Sequence, residues 1–257
     1  MSAKTITIYP YNILEDGTIT VTGAADTGYI ESRLYDRCQN LFWKKTGGDS
    51  SSSFSCEIKV DQGGSPKYVD TLIIPKHNFA LELMEWQYSS DNFVADINSA
   101  MDSSSWTQGD NEQIVKEIAN PRNDRYWRIL IDEMEAMRCS EVFMSYGYEF
   151  YVKVDPFPTI GNRANIDKQD TIGGMTRTTK LGNKKRVRKY NMKLDAIDMS
   201  DWNEAMEYLD HYYKPFYFKD HESNIFLASF ETISDPLRTH LGSDIIDEFV
   251  FTVVEEL

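Results

Sequence analysis

The chain has 257 residues, with 41 acidic side chains against 27 basic, a net charge of −14, and 41% apolar and 13% aromatic content. That suffices to bury one large core or two ordinary ones, and the negative balance argues against a protein that coats nucleic acid, since phosphate binding needs a net basic surface. The longest apolar runs, residues 71–75 and 249–254, fall far short of the roughly 20 residues that span a bilayer, and the start MSAKTITIYP has no apolar signal core; a soluble protein made in the cytoplasm is expected.

In chain order, Thr5 to Tyr9 and Thr18 to Thr22 alternate as half-buried strands do, with Asp16-Gly17 as the turn between them. Ile30 to Trp43 has mixed periodicity, and the Gly- and Ser-rich tract 47–53 reads as an exposed loop. Further strands are expected at Phe54 to Val60, Tyr68 to Pro75, Leu81 to Tyr88, Tyr126 to Asp132 and Glu141 to Tyr148. Between them, Asn111 to Ile118 suits a short helical turn. Short strands with turn chemistry and little helical period predict an antiparallel sandwich.

Tyr151 to Ile166 contains two prolines, which break regular elements, so a linker is placed there. Beyond it, residues 172–180 and 184–197 are expected to form a long hairpin about a turn at Leu181-Gly182-Asn183. Ser200 to Tyr213 reads as an amphipathic helix with Ser200 as N-cap and Trp202, Ala205, Met206, Leu209 and Tyr213 on one apolar face. Strands are expected at 216–219, 224–233 and 245–255. The predicted fold is mainly β: an antiparallel β-sandwich over residues 1–155 and an α+β domain over residues 156–257.

Chemistry-bearing motifs are sparse. No phosphate-binding loop, zinc-protease helix, nucleophile elbow or EF-hand loop occurs, so no catalytic residue, cofactor or metal site is assigned. His77, His211, His221 and His240 are scattered, and the 211/221 pair straddles a helix end. Neighbouring carboxylates such as Asp132 with Glu133, or Asp247 with Glu248, point to opposite faces of a strand. Cys38, Cys56 and Cys139 are an odd set without CxxC spacing and read as reduced, mostly packed thiols. Among the tryptophans, Trp127 belongs to an apolar strand and to the core, while Trp106, in a Ser-rich loop, is the aromatic expected to be exposed for contact.

The sharpest charge feature is residues 171–194, which hold Arg177, Lys180, Lys184, Lys185, Arg186, Arg188, Lys189 and Lys193 and no acid, against 14 acidic and 3 basic residues in 198–257. Segregated opposite charges suit a head-to-tail contact between copies of one chain. These eight residues are therefore the expected subunit interface. A nucleic-acid contact competes, but Tyr190 is the one aromatic interleaved among them and the rest of the chain is acidic. A solvated hairpin without a partner stands as the plain alternative.

Several ordered phrases carry a resemblance: Asn40-Leu41-Phe42-Trp43, Leu72 to Asn78, Arg125 to Ile129 and Glu141 to Met144 in the first half, and the basic hairpin, the Trp202 helix and the Lys214-Pro215-Phe216 strand start in the second. Together they resemble structural proteins of tailed-bacteriophage tails: a discoidin-like jelly roll of tail-tip proteins followed by the ring-forming domain of distal tail proteins. The resemblance implies a non-enzymatic virion subunit, assembled in the host cytoplasm into a homo-oligomeric, hexameric or similar ring. Such a ring would connect the tail tube to tail-tip, baseplate or receptor-binding proteins without cofactor, membrane or nucleic acid. The rival reading is a carbohydrate-binding module for host-surface recognition; a hydrolase with convergent carboxylates is a third.

Overall fold

The computed structural model of the chain describes residues 4–22, 28–45, 56–101, 106–132, 137–152, 159–163, 166–170, 176–180, 185–194, 197–209, 214–233, 245–246 and 249–256. In chain order these form β1 (Lys4–Tyr9), α1 (Ile13–Asp16), β2 (Thr18–Val21), a 3₁₀ turn (Glu31–Leu34), β3 (Trp43–Lys44), β4 (Cys56–Asp61), β5 (Val69–Ile74) and β6 (Leu83–Ser89). There follow β7 (Asn98–Ser99), β8 (Trp106–Thr107), β9 (Ile114–Arg122), β10 (Tyr126–Ile131), β11 (Arg138–Cys139), β12 (Phe143–Ser145) and β13 (Tyr148–Val152). The remainder comprises β14 (Thr159–Arg163), β15 (Ile166–Asp170), β16 (Thr176–Lys180), β17 (Lys185–Leu194), β18 (Ile197–Asp198), α2 (Met199–Tyr208), β19 (Phe216–Lys219), β20 (Ile225–Ile233), β21 (Ile245–Ile246) and β22 (Phe249–Glu255).

The chain is mainly β and its described strand pairs are antiparallel, as the alternating patterns predict. It divides into two compact units, residues 10–147 and residues 1–9 with 148–257. This differs from a division at 155, and the reason is β1. Its Ile8 lies opposite Tyr148 of β13 on one edge and Phe218 of β19 on the other. The alternation of a strand specifies a buried face but not the sheet that buries it. The 10–147 unit is therefore inserted in the chain between two hydrogen-bonded neighbours, and residues 151–166, expected as a linker, supply parts of β13 and β14.

In the 10–147 unit one sheet runs β2-β4-β10-β6-β7, with β8 also beside β6; a second runs β12-β5-β9; and β3 pairs with β11. Alternate residues of three central strands are buried: Cys56, Ile58 and Val60; Met84 and Trp86; Trp127, Ile129 and Ile131. Trp127 is thus in the core as predicted, its ring 5.4 Å from that of Trp86. Two local expectations change. The Asp16-Gly17 turn is preceded by the single helical turn α1, capped by Asn12, whose Oδ1 accepts from the Leu14 N–H at 3.2 Å. A Cβ at Gly17 would stand 2.8 Å from the Ile13 carbonyl oxygen, so the close approach requires glycine. Residues 111–118, expected to make a helical turn, lead into β9 instead: Ile114 is buried opposite Ile74, and the open edge of β5 takes up the backbone groups.

In the other unit the sheet order is β13-β1-β19-β20-β22-β17-β14, and Val152 of β13 also lies opposite Leu194 of β17, so the pairing closes on itself. Ile6, Ile8, Phe150, Phe216, Phe218, Phe251 and Val253 are buried. Helix α2 adds Trp202, its ring centroid 5.6 Å from Phe150 and 5.5 Å from Phe251. The helix runs Met199–Tyr208 rather than 200–213, so Ser200 lies in its first turn instead of capping it. Trp202, Ala205, Met206 and Leu209 form the buried face as expected, while Tyr213 lies outside the described residues.

The hairpin is arranged differently from the expectation. β14 pairs with β17, Arg163 opposite Lys185, and β15 pairs with β16, Asp170 opposite Thr176. The two ladders are nested in sequence, so β16 and β17 each pair with an earlier strand rather than with one another; residues 181–183, expected as the turn, lie outside the described residues. On its other edge β17 pairs with β22, Met192 opposite Phe251 and Leu194 opposite Phe249, and that long ladder fixes its register.

Candidate functional site

The groove in the 10–147 unit begins with a mismatch between β5 and β9. Val69 lies opposite Arg122 and Thr71 opposite Glu117, so one residue of β5, Asp70, faces residues 118–121 of β9. β9 is the outer strand of its sheet, where a proline such as Pro121 costs no ladder bond. The bulged residues Ala119, Asn120 and Pro121 are exposed. Bulges of this kind bend an edge and re-aim its side chains.

The bulge forms one wall of an open groove of about 610 Å³. Opposite it stand Tyr88 of β6, Ser99 of β7 and Met101; the bulged side contributes Glu117, Asn120 and Arg122. Tyr88 rests on the buried Trp127, ring centroids 5.4 Å apart. The Arg122 guanidinium lies 4.7 Å from the Tyr88 ring centroid and its Nε donates to Asp124 Oδ2 at 3.2 Å. That contact holds a long cationic side chain against an aromatic ring.

Two carboxyl groups beside the groove are displaced from the ordinary range in opposite directions. The Asp70 carboxyl, beneath the bulge, is pushed up to about 6 by burial, with the charge of Glu117 adding to it and hydrogen bonds from the Thr71 hydroxyl and Gly147 N–H opposing it. Asp96 is held below the usual range first by hydrogen bonds from the Ser90 hydroxyl and N–H, then by the Asn98 amide, with a lesser pull from Arg122.

The groove therefore presents an apolar floor of Tyr88 and Met101 ringed by a hydroxyl, a carboxylate, an amide and a guanidinium. That combination suits a small polar ring compound with both an apolar face and hydroxyl groups. Its described lining holds one carboxylate, Glu117, where glycoside cleavage ordinarily uses two. Among the described residues no group of three or more His, Cys, Asp or Glu side chains is placed to hold a metal ion.

Trp106, the aromatic expected to be exposed, is half-buried in β8, opposite Met84. Its indole nitrogen is buried without a hydrogen-bond partner and the Lys116 Nζ lies 5.4 Å from its ring centroid. It does not line the groove. Of the eight basic residues, Arg177 and Lys180 are on β16, while Lys185, Arg186, Arg188, Lys189 and Lys193 are on β17; Lys184 lies outside the described residues. One arm of the nested ladders thus carries them. Tyr88, Asn120 and Arg122 were not singled out by their sequence; the Asn120-Pro121 dipeptide, a turn signal inside an apparent strand, was the available clue.

No protein-family model and no curated protein matches the sequence. Solved structures align with about half of the chain. Chitosan-binding module 1 from a chitosanase/glucanase of Paenibacillus sp. IK-5 is 18% identical and matches over 53% of this chain and 99% of its own, with a TM-score of 0.43. CBM32 of AlyQ in complex with 4,5-unsaturated mannuronic acid is also 18% identical, over 50% and 94%, with a TM-score of 0.37. A Ruminococcus gnavus GH29 fucosidase in complex with fucose is 13% identical, over 54% of this chain and 27% of the enzyme, with a TM-score of 0.44.

Proposed function

We propose that the 10–147 unit is a non-catalytic glycan-binding module. The observation that carries this is the groove: an aromatic and thioether floor beside Ser99, facing Glu117, Asn120 and Arg122, which a bulge in an edge strand presents. A sugar ring offers C–H faces to such a floor and hydroxyls to such a rim, and an open, solvent-facing groove accepts one unit of a longer chain. The lone carboxylate in the described lining supports binding rather than hydrolysis.

The test is a broad glycan array probed with the full chain, followed by titration of Tyr88→Ala and Asn120→Ala. Each substitution is expected to weaken the captured glycan about tenfold. Silence across the array, or unaltered binding by both variants, would overturn the reading.

A second reading applies to the unit formed by residues 1–9 and 148–257. We propose that it is the assembly part of a virion tail subunit, self-associating into a ring, with the basic arm of β16 and β17 meeting acidic residues of the 198–257 segment of a neighbour. The placement of seven basic residues on one arm favours it, together with the resemblance to distal tail proteins. Charge reversal of Lys184, Lys185, Arg186 and Arg188 to Glu should abolish assembly in light scattering and negative-stain microscopy; unchanged rings would sink it.

A further inference from the structure

The six arginines of the 10–147 unit divide into two groups. Arg37, Arg122, Arg125 and Arg128 each pair with a carboxylate, that of Glu15, Asp124, Asp61 and Glu57 respectively. Arg33 and Arg138 form no ion pair with a described residue. Both belong to one surface. The Arg33 guanidinium lies 5.6 Å from the ring centroid of Tyr29, which is 38% exposed, and its Nη1 donates to the Phe42 carbonyl at 3.3 Å. The Arg138 guanidinium lies 5.5 Å from the Phe42 ring centroid.

The strand pairing strengthens the charge. Arg138 and Lys44 are direct partners across the β3–β11 ladder, an arrangement of like charges that costs stability. The Lys44 Nζ also approaches Tyr29, 5.6 Å from its centroid. Exposed Ile30 and Leu41 add apolar rim, and Glu31 and Asp36 are the patch's own acidic residues. The patch lies beyond the finish of β5, where His77 bridges to Cys139, whereas the groove lies at its start, where Val69 meets Arg122.

We infer that this patch is a second subsite, for a carboxylated sugar. In a chain of net charge −14, anion binding is not a general property of the surface, so two guanidinium groups that form no ion pair with a described carboxylate, Asp36 acting on Arg33 only through its charge, need a local reason. Each lies near an aromatic ring, and beyond the one N–H that Arg33 gives to the Phe42 carbonyl a guanidinium has further N–H donors to offer a carboxylate. The Tyr29 face and the Ile30 and Leu41 rim suit the C–H side of the same sugar. A uronate unit supplies both: one carboxylate for the guanidinium edges and one ring for the apolar side. The inference rests on the glycan-binding reading of this unit and adds the class of sugar.

The experiment is isothermal titration of the full chain with a hexameric oligouronate and with its neutral methyl ester. The acid should bind at least tenfold more tightly than the ester, and the preference should shrink between 50 and 300 mM salt, roughly as screening dictates. Arg33→Gln with Arg138→Gln should abolish the preference, Arg138→Lys should keep part of it, and Asn120→Ala in the groove should leave it intact. Near-ultraviolet circular dichroism checks that the variants fold; if the Gln variant does not, the salt dependence and Arg138→Lys still decide.

Equal affinity for acid and ester, in a chain that binds neutral glycans, overturns the inference and leaves the glycan reading standing. Failure to bind acid, ester or any arrayed glycan removes both. Salt-sensitive self-association abolished by the Gln variant, without uronate preference, overturns it in favour of a protein contact.

Discussion

Ile8 lies directly opposite Tyr148 across an antiparallel ladder, although the whole sandwich unit separates them in sequence. β1 is an interior strand with β13 on one side and β19 on the other, and the Ile8 side chain is fully buried. Ile8→Ala should therefore destabilise the unit of residues 1–9 and 148–257 by about 2–5 kcal/mol. Hydrogen exchange is the measurement: amides of β13, β19 and β20 should lose protection while those of β4 and β10 keep theirs.

Trp202 joins α2 to the sheet through Phe150, Phe230 and Phe251, at 5.6, 6.3 and 5.5 Å between centroids. Its removal leaves a large cavity that three rings fixed in strands cannot fill. Trp202→Ala should cost about 3–5 kcal/mol and Trp202→Phe distinctly less, read from the midpoint of urea unfolding.

Two groups, half-buried Asp70 and buried His77, give the 10–147 unit opposing pH slopes. The Asp70 carboxyl, pushed up from 3.8 to about 6 by burial, contributes stability that is complete below pH 4 and lost as pH rises through 6. His77 behaves in reverse. Burial lowers its pKa from 6.5, against the hydrogen bond to the Glu112 carbonyl at 2.7 Å, so stability is lost as pH falls below 6.5. Asp70→Asn should raise stability at pH 7 by on the order of 1–2 kcal/mol and unmask the histidine, so that thermal midpoints of the variant rise steadily from pH 5 to 6.5. A variant with the wild-type profile would refute this.

The three thiols should differ in reactivity. Cys56 and Cys139 are buried, and burial pushes the Cys56 thiol up to about 12 and raises that of Cys139 as well. Cys38 is half-buried. Thiolates are the reacting form, so intact-mass analysis after alkylation at pH 8 should show one label, on Cys38, with the other two modified only on unfolding.

Much of the architecture was legible because alternation is a local property. The burial of Cys56, Ile58 and Val60 in β4, and of Trp127, Ile129 and Ile131 in β10, follows from every second residue being apolar. What alternation cannot carry is the identity of the partner strand. β1 has the same pattern whether it pairs with β2 or with β13, and only the closed sheet around Phe218 and Phe150 selects the latter. The groove was hidden for a related reason: a bulge is a mismatch between two strands, visible only when Val69 and Thr71 are set against Arg122 and Glu117. Trp106 was expected in the open because its neighbours in sequence are serines, whereas its ring is partly covered by Lys116, ten residues further along the chain.

The insertion between β1 and β13 also has a mechanical meaning. A tether attached to the inserted sandwich pulls on Tyr9 and Tyr148 together, at the same end of one antiparallel ladder. Because β1 is also held by β19 and β13 by β17, a load entering there is shared by strands on both outer sides of the ladder, and the two attachment points are braced against one another by the ladder rungs between them.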